Sequence, residues 1–320
     1  MTWQLVTGGA GFIGSHLVTA LLQAGKRVRV IDNRATGTAE TGRDVAAEID
    51  WMREDITDDA ALTRAMQDVE CVFHLAAIAS VPRSIENPVP THTVNVTGTL
   101  QVLQAAVKAG ARRVVYSASS SAYGDQPAER KDESLLPQPL SPYAVSKLAG
   151  ELYCQAFFHS YGLETVALRY FNVFGPRQDP RGAYAAVIPR FITAIRQGEA
   201  PVIYGDGLQT RDFTYVANVV AANLLAADAP HAAGRVFNIG SGEALDLLTL
   251  VSQLSQLAGQ KITPRFEPPR VGDVRHSLAD ISQAREVLGY QPVVGIAEGL
   301  QRTWDSFAET GAGEAEGRQT

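Results

Sequence analysis

The sequence predicts an α/β fold built on a doubly wound parallel sheet, with a smaller, discontinuous second domain towards the C-terminus. Three observations predict it. Short apolar runs alternate with amphipathic stretches through the first half, a glycine-rich turn joins the first run to the first amphipathic stretch, and the texture changes after Asn172. Parallel strands need long crossovers, usually helical, and this alternation is their trace in a sequence.

In chain order, the strand candidates are Gln4–Thr7, Arg27–Asp32, Cys71–Leu75, Val114–Ser117 and Thr165–Tyr170. The helix candidates between them are Phe12–Ala24, Asp59–Met66, Asn95–Ala109 and Pro142–Tyr161. Gly25, Gly110 and Gly162 follow three of these, where a left-handed cap closes a helix. From Asn172 to Arg211, and again from Pro264 to His276, Gly, Pro and Arg are frequent. Between those segments a helical stretch (Val216–Ala227) and a strand-like run (Val236–Ile239) read as a return to the main sheet. The expected division is therefore 1–171 with 212–242 as one domain and 172–211 with 243–310 as the second. The small, polar tail Gly311–Thr320 is expected to be disordered.

Composition narrows the function classes. The 320 residues are 45% hydrophobic and 19% charged, ordinary for a globular protein. A net charge of -6 argues against a broad nucleic-acid footprint, which needs a basic face. The two cysteines, Cys71 and Cys154, lie in apolar stretches and read as buried thiols. No basic-then-apolar leader and no membrane-length apolar run is found, so the expected setting is the cytoplasm, with no membrane partner. The six histidines form no close ligand pair, and no metal is expected.

Thr7-Gly8-Gly9-Ala10-Gly11-Phe12-Ile13-Gly14 follows the first strand and opens the first helix. Glycines at 8, 11 and 14 let the backbone turn sharply and approach a pyrophosphate at the helix N-terminus. A glycine triplet alone is weak evidence; strand–turn–helix context strengthens it. The second strand closes on Asp32, placed to accept from both ribose hydroxyls of NAD and to repel a 2′-phosphate. Arg34 is a mild counter-signal for NADP, read as a solvated loop charge. The sheet is accordingly Rossmann-like, with NAD as the expected cofactor.

Ser141-Pro142-Tyr143-Ala144-Val145-Ser146-Lys147 marks a helix start by its serine N-cap and first-turn proline. Tyr143 and Lys147 then lie one turn apart on one face. A free phenol titrates near pH 10, so service as a base near neutrality needs a drop of about 3 units, or about 4 kcal/mol. One ammonium at about 5 Å supplies roughly 3 kcal/mol at an effective dielectric of about 20. The helix N-terminus and a positive nicotinamide supply the rest. The serine-rich stretch Ser117–Gly124, between the fourth strand and this helix, offers the accompanying hydroxyl.

The Gly-x-x-Gly-x-x-Gly spacing with this tyrosine and lysine resembles the extended short-chain dehydrogenase/reductase family. Within it, the chain resembles the NAD-dependent epimerases and dehydratases, notably the UDP-hexose 4-epimerases. The resemblance runs from about residue 3 to residue 305. It implies Ser119, Tyr143 and Lys147 as catalytic. It implies NAD contacts at Gly8, Gly11, Phe12, Ile13, Gly14, Asp32, Asn33, Asp55, Ile56, Leu75, Ala76, Ala77, Asn95, Tyr143, Lys147 and Tyr170. It assigns a UDP-sugar to Ser80, Ser119, Ser120, Ser121, Asn172, Arg181, Ala186, Val187, Arg211, Arg270, Asp273 and Ser277, with Arg211 and Arg270 as diphosphate clamps.

Dehydratases and decarboxylases of this family carry an acid within Ser119–Ser121, and here only serines stand there, so the implied reaction is epimerisation at C4. Ser277 matches a site where a bulky tyrosine excludes N-acetylated sugars. Arg181 replaces a neutral residue of the N-acetylhexosamine branch, which leaves a C6 carboxylate open. A sugar-nucleotide dehydratase or decarboxylase and a non-catalytic NAD-sensing protein remain as alternatives. The family further implies a homodimer through the Asn95–Ala109 and Pro142–Tyr161 helices.

Overall fold

Seven of the apolar runs pair into one parallel sheet. In the computed structural model, which describes residues 2–35, 48–180, 186–269 and 274–316 (side chains through 308), its strands are β1 (Trp3–Thr7), β2 (Arg27–Ile31), β3 (Ile49–Met52), β4 (Val69–His74), β5 (Arg113–Ser119), β6 (Glu164–Tyr170) and β11 (Arg235–Ile239). Their order is β11-β6-β5-β4-β1-β2-β3, with every neighbouring pair parallel. Both faces are covered, which is why the strands read as nearly unbroken apolar runs. On one face α1 (Phe12–Gln23) and α8 (Val216–Asp228) bury Leu17, Leu21 and Val219 against Val6, Val30 and Phe237. On the other, α2 (Asp59–Ala65), α5 (Thr99–Ala109) and α6 (Pro142–Tyr161) bury Leu62, Leu103 and Phe157 against Leu5, Val72 and Val114. The strand order reverses between β1 and β4, the switch point at which such sheets leave a crevice beyond their carboxyl ends.

The chain leaves this sheet after β6 and returns through α8 to β11, which pairs with β6. The excursion and the C-terminal third supply α7 (Val187–Arg196), α9 (Leu247–Ala258) and α10 (Ile296–Glu316). They also supply the short strands β7 (Val173–Phe174), β8 (Val202–Tyr204), β9 (Thr210–Arg211), β10 (Thr214–Tyr215), β12 (Leu245–Asp246), β13 (Arg265–Glu267) and β14 (His276–Ser277). A third apolar cluster joins Phe191, Phe213, Leu250, Leu254 and Leu300 there. In one small sheet β9 is central, antiparallel to β12 and parallel to β14.

The backbone of α10 runs through Glu316, into the stretch expected as a disordered tail. Two expectations need correction. The helix expected over Asn95–Ala109 is α5 preceded by a π-type turn, Thr93–Gly98. Gly98 lies against Ile56, where a Cβ would come within 2.8 Å of the isoleucine Cδ1. The strand β3 and the short helices α3 (Val81–Glu86) and α4 (Pro88–His92) were not expected: β3 is an edge strand interrupted by Asp50, and α3 and α4 are proline-bearing single turns without helical periodicity. The two cysteines are free and buried, and burial pushes the Cys71 thiol up to about 12.

Candidate active site

The crevice at the switch point is a cavity of about 800 Å³. Its nucleotide end is formed by the β1–α1 turn. Gly8 adopts φ +72°, and a Cβ there would lie 2.7 Å from the Ala76 backbone nitrogen; at Gly14 a Cβ would lie 2.2 Å from Gly8 O. Only glycine fits both positions, and the α1 N-terminus is left open to an anion. Asp32 directly follows β2 and is oriented by two N–H donors, Ala10 at 2.9 Å and Arg34 at 2.6 Å. Arg34 itself, at φ 55°, stacks its guanidinium over Trp51 at 5.3 Å and does not line the cavity. Farther along the rim Asn33 donates to Asp55 at 2.7 Å. Burial pushes the Asp55 carboxyl up, but donors from Thr57 and Asn33 outweigh it and hold it below the usual range.

The middle of the cavity carries the hydroxyls and the amine. Ser141 caps α6 by accepting from Ala144, and Ser84 of α3 accepts from the Tyr143 N–H at 3.0 Å, so a helix unmarked in the sequence sets the tyrosine. Ser119, the last residue of β5, lies on the same wall as the Tyr143 phenol and shares a 2.8 Å contact with Ser121 Oγ. Lys147 is buried, with its ammonium 4.7 Å from the centre of the Tyr116 ring. Burial pushes the Tyr143 phenol up, with Ser119 pulling the other way, and pushes Lys147 down to about 7. A poorly solvated site disfavours both ionic forms.

Behind this wall runs a buried relay. Thr99 Oγ1 donates to Asn95 O at 2.7 Å, so His74 Nε2–H must donate to Thr99 (2.9 Å) and His74 Nδ1 must accept from Thr7 Oγ1 (2.7 Å). Burial first, and the Lys147 charge second, push His74 down to about 3, consistent with this neutral tautomer. Asn95 then accepts from Ile78 N at 2.8 Å and donates to Ser146 Oγ at 3.0 Å, and Ser146 donates to Tyr143 O at 2.7 Å.

At the far end lie Asn172, Arg211 and Ser277. Asn172 holds φ 24°, a strained value for a non-glycine residue, and donates to Asp212 O at 3.2 Å. Arg211 pairs in register with Ser277 across β9 and β14, and its guanidinium donates to Thr210 O at 2.8 Å. Asn172 and Arg211 also line a second cavity of about 250 Å³, with Ala186, Val187, Tyr204, Gln209 and Phe213.

Most of the residues singled out in the sequence therefore meet at the main cavity: Gly8, Gly11, Phe12, Ile13, Gly14, Asp32, Asn33, Asp55, Ile56, Leu75, Ala76, Ala77, Ser119, Ser120, Ser121, Tyr143, Lys147, Tyr170, Asn172, Arg211 and Ser277. Ala186 and Val187 line the second cavity instead. Two of the expected contact residues are not on either wall. Asn95 is buried behind it, its amide committed to Ile78 and Ser146, and Ser80 caps α3 by accepting from Arg83. Arg181, Arg270 and Asp273 lie outside the described residues. Sequence reasoning missed Lys131 and Val274 on the wall, neither of which stands in a recognisable motif.

Comparison with known proteins places this geometry. The model of the NAD dependent epimerase/dehydratase family matches residues 4–240. A UDP-glucose 4-epimerase of Mycolicibacterium smegmatis is 41% identical over 308 residues, 95% of this chain and 97% of that protein. A UDP-N-acetyl-alpha-D-glucosaminuronate decarboxylase of Bacillus cytotoxicus is 34% identical over 316 residues, 95% of this chain and 97% of that protein. The solved structure of a UDP-N-acetylglucosamine 4-epimerase from Methanobrevibacter ruminantium, in complex with UDP-N-acetylmuramic acid, matches with a TM-score of 0.92 at 41% identity and covers 97% of this chain and 99% of that one. With a family match over most of its length and relatives aligned nearly end to end, the chain belongs to the NAD-dependent epimerase/dehydratase family, and its cofactor is NAD.

Proposed function

We propose that the protein is a UDP-hexose 4-epimerase, acting on the glucose/galactose pair or its N-acetylated counterpart. One observation carries the reading. Ser119, Tyr143 and Lys147 line the same cavity as the glycine turn, and Asn172 and Arg211 line both that cavity and a second chamber. That arrangement suits NAD, then a hexose, then a diphosphate at Asn172 and Arg211, then a uridine beside Tyr204 and Phe213. Ala186 and Val187, at the α7 N-terminus, line the second chamber, and a helix N-terminus favours phosphate oxygens.

Tyr143 takes the proton of the sugar C4 hydroxyl, with Ser119 donating to the same oxygen. The C4–H bond breaks, C4–O becomes a carbonyl, and return of the hydrogen to the opposite face inverts C4 with Tyr143 giving its proton back. NAD, when bound, supplies the acceptor for the C4 hydrogen with its electron pair, and a positive charge beside the phenol. Lys147 holds the nicotinamide ribose and shares in lowering the phenol. The stretch Ser119–Ser121 offers no acid, so neither elimination of water nor decarboxylation is served. A homodimer belongs to the same reading: Val145 and Leu152 are half-exposed apolar residues on α6.

Incubation of the holoenzyme with UDP-glucose, UDP-N-acetylglucosamine and UDP-glucuronate tests this. The expected product is the C4 epimer of one of the first two. A 4-keto-6-deoxy sugar or a pentose would make the protein a lyase, and no turnover would leave an NAD-sensing protein. A preference for UDP-glucuronate that is lost in Arg181→Asn would move the substrate to a uronate.

A further inference from the structure

Asp212 follows Arg211 directly, yet it lines neither cavity and is fully buried. Its carboxylate gathers four donors from two distant segments. Oδ1 accepts from the Ser241 N–H and the Ser241 hydroxyl, both at 2.7 Å. Oδ2 accepts from Gly242 N–H at 3.0 Å and Ala279 N–H at 3.2 Å. The Asp212 N–H donates to Ser277 O at 2.7 Å, and the Asp212 carbonyl accepts from Asn172 at 3.2 Å. Gly240 leaves room for the carboxylate: a Cβ there would fall 2.6 Å from Asp212 Oδ2. One residue thus ties the loop after β11 to the three segments that bear Asn172, Arg211 and Ser277. A buried carboxylate with four donors is costly to disturb, because each donor it loses is left unpaired.

We propose that Asp212 is the positioning residue of the sugar-diphosphate end, holding Arg211, Asn172 and Ser277 in place by fastening them to the main sheet. The proposal rests on the reading that Arg211 meets the diphosphate. Asp212→Asn turns part of the acceptor set into donors facing donors, and Gly240→Ala pushes on the same carboxylate from behind.

The test uses the NAD-loaded protein and UDP itself as the probe, with titration calorimetry, bound NAD per chain, and kcat and KM on the best UDP-sugar. Arg211→Ala and Asp212→Asn are each expected to weaken UDP by about tenfold or more, the scale of a lost charge-assisted contact. Bound NAD and kcat should stay near the parent values while KM rises. In the double variant the second change should add less than about twofold, since both act on one contact. Multiplying losses, or a fall in bound NAD or kcat with KM unchanged, overturns the proposal, as does a parent-like UDP affinity in Asp212→Asn beside a weakened Arg211→Ala. A parent-like Arg211→Ala instead overturns the diphosphate reading beneath it. If Asp212→Asn does not fold, Gly240→Ala carries the same comparison.

Discussion

At the nucleotide end of the cavity the wall residues sit on, or a few positions beyond, strands of the main sheet, whereas at the proposed sugar-diphosphate end Asn172, Arg211 and Ser277 come from segments far apart in the chain, the last two on two-residue strands. Gly8, Gly14 and Asp32 are placed by strand, turn and helix in immediate succession. Arg211 and Ser277 are placed by pairing between β9 and β14, and by a carboxylate that collects donors from the loop after β11 and from Ala279, just past β14. The first end is built locally and the second by long-range closure. Substitutions at the first should therefore act one residue at a time, and substitutions at the second should act through one another.

The sharpest break falls midway between the two ends. Tyr143→Phe should lower turnover by at least about a hundredfold, the scale of a positioned acid–base group. Bound NAD should be retained, because the nucleotide end does not depend on the phenol. Near-parental turnover in that variant, measured on the best UDP-sugar, would remove Tyr143 from the chemistry.

What could be read in the sequence follows the same divide. Periodic apolar runs, the glycine turn, the carboxylate after β2 and the Ser-Pro-Tyr start of α6 are all local instructions, and the structure places each within about two residues of where they point, the start of α5 excepted. The hydrogen bond that Ser84 accepts from the Tyr143 N–H was not legible, because α3 is a short proline-bearing helix. Lys131 was not legible either: it lies on the cavity wall in a segment whose backbone bridges to Ala279, far along the chain. Asn95 could be placed beside the site but not behind its wall, since it lies in the π-type turn and its amide meets Ile78 and Ser146 from other parts of the chain. The rise of the phenol's pKa is a property of burial, which spacing does not report.

A smaller effect sharpens the account of the nucleotide end. Asp32→Ala should cut the preference for NAD over NADP by about tenfold or more, the scale of a carboxylate accepting charge-assisted ribose contacts. Fluorescence titration with both nucleotides reads it, and an unchanged ratio would mean that Asp32 does not set the choice.

The smallest effect concerns stability. Burial pushes Lys147 from 10.5 down to about 7, so folding disfavours its charged form. The penalty is complete below pH 7, where both folded and unfolded states are protonated, and fades as pH rises from 7 to 10.5. Lys147→Met should therefore abolish turnover yet raise the unfolding midpoint of the NAD-free protein by a few degrees at pH 6, roughly 2–4 °C per kcal/mol for a domain of this order of size. The gain should shrink by pH 10. A lower midpoint at pH 6 would show that the ammonium is stabilised by the fold.

The central claim is that the hydrogen removed from C4 goes back to C4 without leaving the site. The most direct measurement is incubation of the NAD-loaded protein with a UDP-hexose deuterated at C4 in ordinary water, followed by mass spectrometry of the separated epimers and absorbance at the NADH band. The account predicts an epimer that keeps its C4 deuterium, with no net NADH. Loss of the label to water, or a product with an altered carbon skeleton or a missing C6 oxygen, would contradict it.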